Sequence, residues 1–257
     1  MTGEHARVAV VTGGTTGIGL ETARSLLRSG HRVAVFSQSQ ENVLAAAEAL
    51  AQEFGSENIY ARTADIADHR AIAAFFGELT AAWTTPTILV CNAGISPKRA
   101  NGAAPFTDIG LGEWNEVISI NLTGAMLCCQ AVVQGMVEGG FGRIVLVGSL
   151  AARGRPKIAG TSYVASKAAL SGLARALIEP YSSHGITVNL VAPGRILTGM
   201  SGSANSPSNL AALERIPSRR FGKPEEVAAL IAFLVHESSG FINGATIDIN
   251  GGEFVAP

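Results

Sequence analysis

Tyr163 and Lys167 stand four residues apart, and on a helix that spacing stacks them on one face. A phenol with a pKa of about 10 exchanges protons poorly near neutrality. An ammonium beside it favours the phenolate, which makes the tyrosine a workable general acid/base. Alone, the pair also reads as a surface contact. Ser149 changes the balance: it follows the apolar run at residues 144–147, where a strand would deliver it to a crevice, and its hydroxyl can hold a substrate oxygen against Tyr163. Asn121 falls within the apolar stripe Trp114, Val117, Ile118, Leu122 and Ala125. A buried amide must find partners or cost about 1–3 kcal/mol.

A second constellation precedes these. The run Thr12-Gly13-Gly14-Thr15-Thr16-Gly17-Ile18-Gly19 joins an apolar strand to a helical pattern. Glycines there let the backbone turn sharply and approach a pyrophosphate, whose charge meets the N-terminus of the helix. A glycine loop alone is a weak signal; the flanking strand and helix strengthen it.

Such groups must be carried to one place by regular elements. Short apolar, β-branched runs at 8–11, 32–36, 59–62, 88–91, 144–147, 187–191 and 245–249 alternate with helical patterns at 17–29, 41–54, 69–83, 112–138, 161–184 and 224–236. Most of the strand runs are continuously apolar, as strands covered on both faces require. The alternation predicts a doubly wound α/β domain with its ligand crevice at the carboxyl ends of a parallel, seven-stranded sheet. No Pro- or Gly-rich linker divides the chain, so residues 1–257 read as one domain. The stretch 198–220 is small, polar and poor in pattern, and reads as a substrate lid.

The glycine loop, Asn92-Ala93-Gly94, Asn121, Ser149 and the Tyr163/Lys167 pair, in this order, resemble the short-chain dehydrogenase/reductase family, and within it the 3-oxoacyl-carrier-protein-reductase-like group. The resemblance extends to the closing Asp248-Ile-Asn-Gly-Gly252. It implies a Rossmann fold, an oxidoreductase interconverting a ketone and a secondary alcohol, and a catalytic set of Asn121, Ser149, Tyr163 and Lys167. Lys167 would also hold the nicotinamide ribose, and Asn121 a water that passes protons to solvent. Dinucleotide contacts are implied at Gly13, Thr15, Thr16, Gly17, Ile18, Gly19, Asp65, Ile66, Asn92, Ala93, Gly94, Tyr163, Lys167, Pro193 and Gly194. Ile196 and Thr198 would clamp the carboxamide.

The end of the second strand, Phe36-Ser37-Gln38-Ser39, lacks the acid that usually holds the ribose 2′-hydroxyl of NAD. A carboxylate would repel a 2′-phosphate, so Ser37 in its place favours NADP(H), and with it carbonyl reduction. The basic residue that often grips this phosphate is also missing, and NAD(H) stays open, with an oxidative alcohol or sugar dehydrogenase as the alternative. A non-catalytic dinucleotide-binding regulatory protein would need none of the four catalytic residues.

Charge and composition set further bounds. Nineteen basic and twenty acidic side chains leave −1, and charged residues make up 15%, against roughly 25% in an average soluble protein. No footprint for nucleic acid or an anionic membrane is visible in that balance. Residues 1–6 are polar, the run at 8–11 is too short for a signal peptide, and no stretch reaches the length of a membrane span. Cys91, Cys128 and Cys129 form no metal or disulfide spacing, and the five histidines show no i, i+4 pair, so no metal is expected. A cytoplasmic protein is expected. Small residues at Ala165, Ser166, Ala168, Ala169, Ser171 and Gly172 suit close helix packing, and the resemblance implies a homotetramer. The pocket for a small carbonyl substrate is expected at 95–112, 150–160 and 195–220. Arg153, Arg155 and Lys157 there could attract an acidic substrate or simply be solvated, and the lack of Lys or Arg from 176 to 194 weakens docking of a carrier protein.

Overall fold

Strands β1 (Val8–Thr12), β2 (Arg32–Ser37), β3 (Ile59–Thr63), β4 (Ile88–Cys91), β5 (Gly142–Val147), β6 (Ile186–Pro193) and β7 (Thr246–Ile249) form one sheet, in the order β3-β2-β1-β4-β5-β6-β7. The structure is a computed structural model and describes residues 6–99, 102–156 and 158–256; residues 1–5 of the polar N-terminal stretch and Lys157 lie outside the described residues. Every neighbouring pair of strands is parallel. Strands β1, β4, β5 and β6 are buried along their whole length, which is why they are mostly apolar; Arg143 of β5 and Thr187 and Asn189 of β6 are the buried polar exceptions inside β5 and β6.

Alternation along the strands divides the core in two. Val11, Val33, Val35 and Val90 point to the face covered by Leu26, Leu50, Ile231 and Leu234, which come from helices α1 (Gly17–Arg28), α2 (Gln40–Phe54) and α8 (Pro224–Val235). Val10, Ala34, Leu89 and Ile144 point the other way, against Phe75, Val132, Met136 and Leu170 of α3 (His69–Ala82), α5 (Gly124–Gly139) and α6 (Thr161–Tyr181). Strand order reverses between β1 and β4, so a crevice opens there at the carboxyl ends.

Two elements depart from the sequence reading. The helix expected at 112–138 is three segments: α4 (Leu111–Ile118), a π-helical turn at Ser119–Thr123, and α5. One extra residue in the turn rotates α5 relative to α4, and π turns gather at functional sites. Together they make a continuous helix, Leu111–Gly139, that by length and composition alone is apolar enough to cross a membrane, although Glu113, Asn115, Glu116 and Asn121 interrupt it and it holds no run of 18 apolar residues. Its inner face is instead packed in the core, through Val117, Cys128, Cys129, Val132 and Met136. The lid region is also more regular than its composition suggested. It holds a short turn, Gly199–Ser201, and helix α7 (Pro207–Arg215), opened by Pro207 in its first turn. The fully buried Asn209 ties the two together, donating to the carbonyls of Ser201 at 3.1 Å and Ser203 at 2.7 Å.

Candidate active site

The turn from β1 into α1 is built by glycine. Gly13 and Gly17 have φ of +61° and +52°, values L side chains rarely adopt. No side chain caps the first N–H groups of α1, and they remain open to an anion. Thr12, buried beneath the loop, accepts through Oγ1 from the main-chain N–H groups of Asn92 at 3.0 Å and Ala93 at 2.9 Å. Asn92 returns the link, its amide donating to the carbonyls of Thr12 and Gly13, both at 3.1 Å. The ends of β1 and β4 are thereby fastened side by side.

From this junction a single cleft of about 710 Å³ runs along the carboxyl edge of the sheet, within the usual range for small-molecule sites. Its end beside the glycine loop is walled by Gly13, Thr15, Thr16, Gly17 and Ile18 of the loop, Ser37 after β2, and Asp65 and Ile66 after β3. Asn92, Ala93 and Gly94 after β4, with Pro193, Gly194, Ile196 and Thr198 after β6, line its middle, together with Ser149, Tyr163 and Lys167. These residue positions and the open α1 terminus fit a nicotinamide dinucleotide.

Two residues sit elsewhere than the sequence implied. Gly19 lies behind the loop instead of on the cleft wall; a Cβ there would come within 2.2 Å of the Gly13 carbonyl oxygen and 2.5 Å of the Asn92 amide. Its smallness serves the packing of loop on helix. Asn121 is likewise buried behind the wall. Its Oδ1 accepts from the Ile95 N–H at 2.8 Å, and its Nδ2 donates to the Ile95 carbonyl and to Ser166 Oγ, both at 3.0 Å. Ser166, which the sequence reading did not assign to the site, donates in turn to the Tyr163 carbonyl at 2.8 Å. The π turn aims Asn121 so that one amide joins the β4 loop to the tyrosine helix. Nothing in the helical periodicity could have shown this, because the periodicity assumes an unbroken α-helix.

Tyr163, on the first turns of α6, lies beside Ser149, whose Oγ accepts from the Ala151 N–H at 3.1 Å. Lys167 lies one turn further, its Nζ 5.9 Å from the Tyr163 ring centre and donating to the Val147 carbonyl at 2.8 Å. Electrostatics here differ from the simplest sequence argument. Burial raises the Tyr163 pKa, with the Ser149 hydrogen bond opposing it. Burial pushes the Lys167 amine down to about 8, with Cys91 opposing. The lysine is itself desolvated, so its charge is a costly one that a bound anion or hydroxyl would support.

Arg153 does not remain available to a substrate: it grips Asp248 through two hydrogen bonds of 3.1 Å and lies over Phe254. Arg155 lines the cleft and is exposed. Asp65 lines the cleft with one carboxylate oxygen engaged by the Ala67 N–H at 2.9 Å. Cys91, Cys128 and Cys129 are buried free thiols, and burial helps raise the Cys128 pKa.

A family model described as enoyl-(acyl carrier protein) reductase matches residues 13–253. An acetoacetyl-CoA reductase of Allochromatium vinosum is 34% identical over 252 residues, spanning 97% of this chain and 99% of that protein. A cis-4-hydroxycyclohexanecarboxylate dehydrogenase of Sinomonas cyclohexanicum is 36% identical over 247 residues, 96% of each. Among solved structures, a 3-oxoacyl-[acyl-carrier protein] reductase from Brucella melitensis superposes with a TM-score of 0.92 at 30% identity, covering 99% of this chain and 93% of that one. With a doubly wound seven-stranded sheet and a match across nearly its whole length, the chain belongs to the short-chain dehydrogenase/reductase family, oxidoreductases acting on CH–OH and C=O groups.

Proposed function

We propose that the protein reduces a compact ketone to a secondary alcohol with NADPH, using Tyr163 as general acid. The observation that carries this reading is that the Tyr163 and Ser149 side chains stand side by side on the wall of one cleft, with Lys167 one turn behind Tyr163. When bound, the dinucleotide supplies the hydride. Tyr163 delivers the proton to the carbonyl oxygen, and Ser149 holds that oxygen in line. Lys167 favours the phenolate left behind and is placed to meet the nicotinamide ribose. Asn121 spends its amide on Ile95 and Ser166, so a water assigned to it would be met by its second Oδ1 lone pair or its main-chain carbonyl.

NADP(H) is favoured because Ser37 and Gln38, with no carboxylate, line the cleft after β2. NAD(H) with an oxidative direction is the second reading, since no basic side chain after β2 lines the cleft either. A homotetramer and a cytoplasmic location complete the proposal; the partly exposed Leu127, Val133, Leu173 and Leu177 on α5 and α6 support the first, the free thiols the second. Fluorescence titration with NADPH and NADH, then turnover on a ketone panel, tests it. Tyr163→Phe is expected to abolish turnover while the dinucleotide Kd stays within about twofold. Near-wild-type turnover in that variant refutes the mechanism, and tighter NADH binding overturns the cofactor assignment.

A further inference from the structure

The charge at the substrate end of the cleft narrows what is reduced there. The chain as a whole carries −1, yet Lys98, Arg155, Arg195 and Arg215 line this end, with Glu253 as their neighbouring carboxylate. Glu253 is already engaged by Arg215 Nε at 3.1 Å. Lys98 and Arg195 come from different loops, after β4 and β6, and converge on consecutive carbonyls. Lys98 Nζ donates to Met200 O at 3.1 Å. Arg195 donates to Ser201 O at 3.1 Å and, through Nε, to Asn209 Oδ1 at 2.5 Å.

All three acceptors are neutral. Among the described residues neither cation has a carboxylate within ion-pair distance. Burial and the Arg195 charge together hold the Lys98 amine below its usual range. Burial lowers Arg195 as well, with Glu253 opposing and Arg215 adding to it. An ammonium offers three donors and a guanidinium five, of which one and two are used here. Lys98 is exposed and Arg195 half-buried; two like charges held close with spare donors favour an anion between them. The remaining wall, with Ile95, Leu150, Ile158, Met200 and Phe254, is apolar.

We infer that the substrate is a keto acid, a compact apolar carbon skeleton whose carboxylate sits between Lys98 and Arg195 while its carbonyl meets Tyr163. This deepens, and rests on, the reading of the cleft as a ketone reductase. The carboxylate is recognised and not transformed. The dinucleotide's own phosphates are the other source of an anion for these donors.

The test pairs each of several keto acids, beginning with 4-oxopentanoate, with its methyl ester, and measures kcat/KM with NADPH for wild type, Lys98→Gln and Lys98→Arg. The wild type is expected to favour the acid by about tenfold or more, Lys98→Gln to lose about tenfold more on the acid than on the ester, and Lys98→Arg to recover most of it. The preference should shrink as salt rises. Equal rates on acid and ester, or equal losses on both in Lys98→Gln, overturn the inference and leave Lys98 as a latch between two loops. A weakened NADPH Kd with an unchanged acid preference assigns the cations to the dinucleotide and also overturns it. A binding arm separates this from failure of the reductase reading: calorimetric titration with the redox-inert pentanoate and pentanamide. Pentanoate binding that Lys98→Gln removes, without turnover of any ketone, sustains the anion site and refutes the reductase; ketone turnover without carboxylate preference in either arm does the reverse.

Discussion

Replacing Asn121 by alanine removes a side chain that joins the β4 loop to the tyrosine helix. Asn121 is 1% exposed and makes three hydrogen bonds, two with the Ile95 main chain and one with Ser166. Its loss strands the Ile95 N–H and carbonyl beside a cavity the size of an amide. Each unsatisfied buried group costs about 1–3 kcal/mol, and water entering from the adjacent cleft recovers part of it. The expected destabilisation is therefore about 2–4 kcal/mol, or roughly 5–15 °C in thermal midpoint for a chain of this length. Ser166→Ala removes the acceptor of one Asn121 Nδ2 hydrogen and the local bond to the Tyr163 carbonyl but leaves both Ile95 groups paired, and should cost about 1–3 kcal/mol. Thermal unfolding monitored by circular dichroism gives the midpoints, and hydrogen exchange gives a local reading: the Ile95 amide should lose protection well beyond the global change. A midpoint shift under about 2 °C, or unchanged exchange at Ile95, would refute the claim that this amide fastens the loop.

Gly94→Ala places a Cβ 3.2 Å from both Asn121 Oδ1 and Lys167 Nζ, so the lysine must shift by a few tenths of an ångström. Turnover is expected to fall by about tenfold or more, with a midpoint change of only a few degrees, measured by steady-state kinetics and thermal unfolding. Lys167→Met tests the buried charge. The folded pKa of about 8 lies below the ordinary lysine value of 10.5, so the unfolded chain binds more protons between those pH values and wild-type stability gains as pH rises through them. Any stability advantage of Lys167→Met over wild type should thus shrink from about pH 7 to about pH 10, read as the difference in thermal midpoint; an advantage that grows contradicts a depressed lysine.

Much of this architecture was legible because it is written in local chemistry. The buried strands declare themselves by runs rich in Val, Ile and Leu, and Gly13 and Gly17 sit where the backbone needs positive φ. Ser149, Tyr163 and Lys167 were locatable from strand ends and i, i+4 spacing, and all three do line one cleft. Harder to read were features set by partners far along the chain. Asn92 and Gly19 owe their identity to the packing of β4 against the glycine loop, which no local pattern reveals. Arg153 looked free until Asp248, far along the chain, proved to hold it. Helix α7 hid in a polar run because its anchor is one buried asparagine rather than an apolar stripe.

The π turn explains why the proton chemistry and the cofactor cleft are mechanically one unit. An uninterrupted α-helix from 111 to 139 would fix the direction of Asn121 by the apolar stripe alone. The wider turn instead lets Ile120 and Asn121 both be buried, one in the core and the other against Ile95 and Ser166. Asn121 therefore reads the position of the β4 loop, whose Asn92 holds the glycine loop, and reports it to the main chain of Tyr163 through Ser166. The glycine loop is thus linked to the main chain of Tyr163 through Asn92, the short loop to Ile95, Asn121 and Ser166. The helix is distorted over the turn that carries Asn121, between the glycine loop and the Tyr163 that the proposed mechanism uses as proton donor, which is where departure from an ideal helix would have a mechanical use.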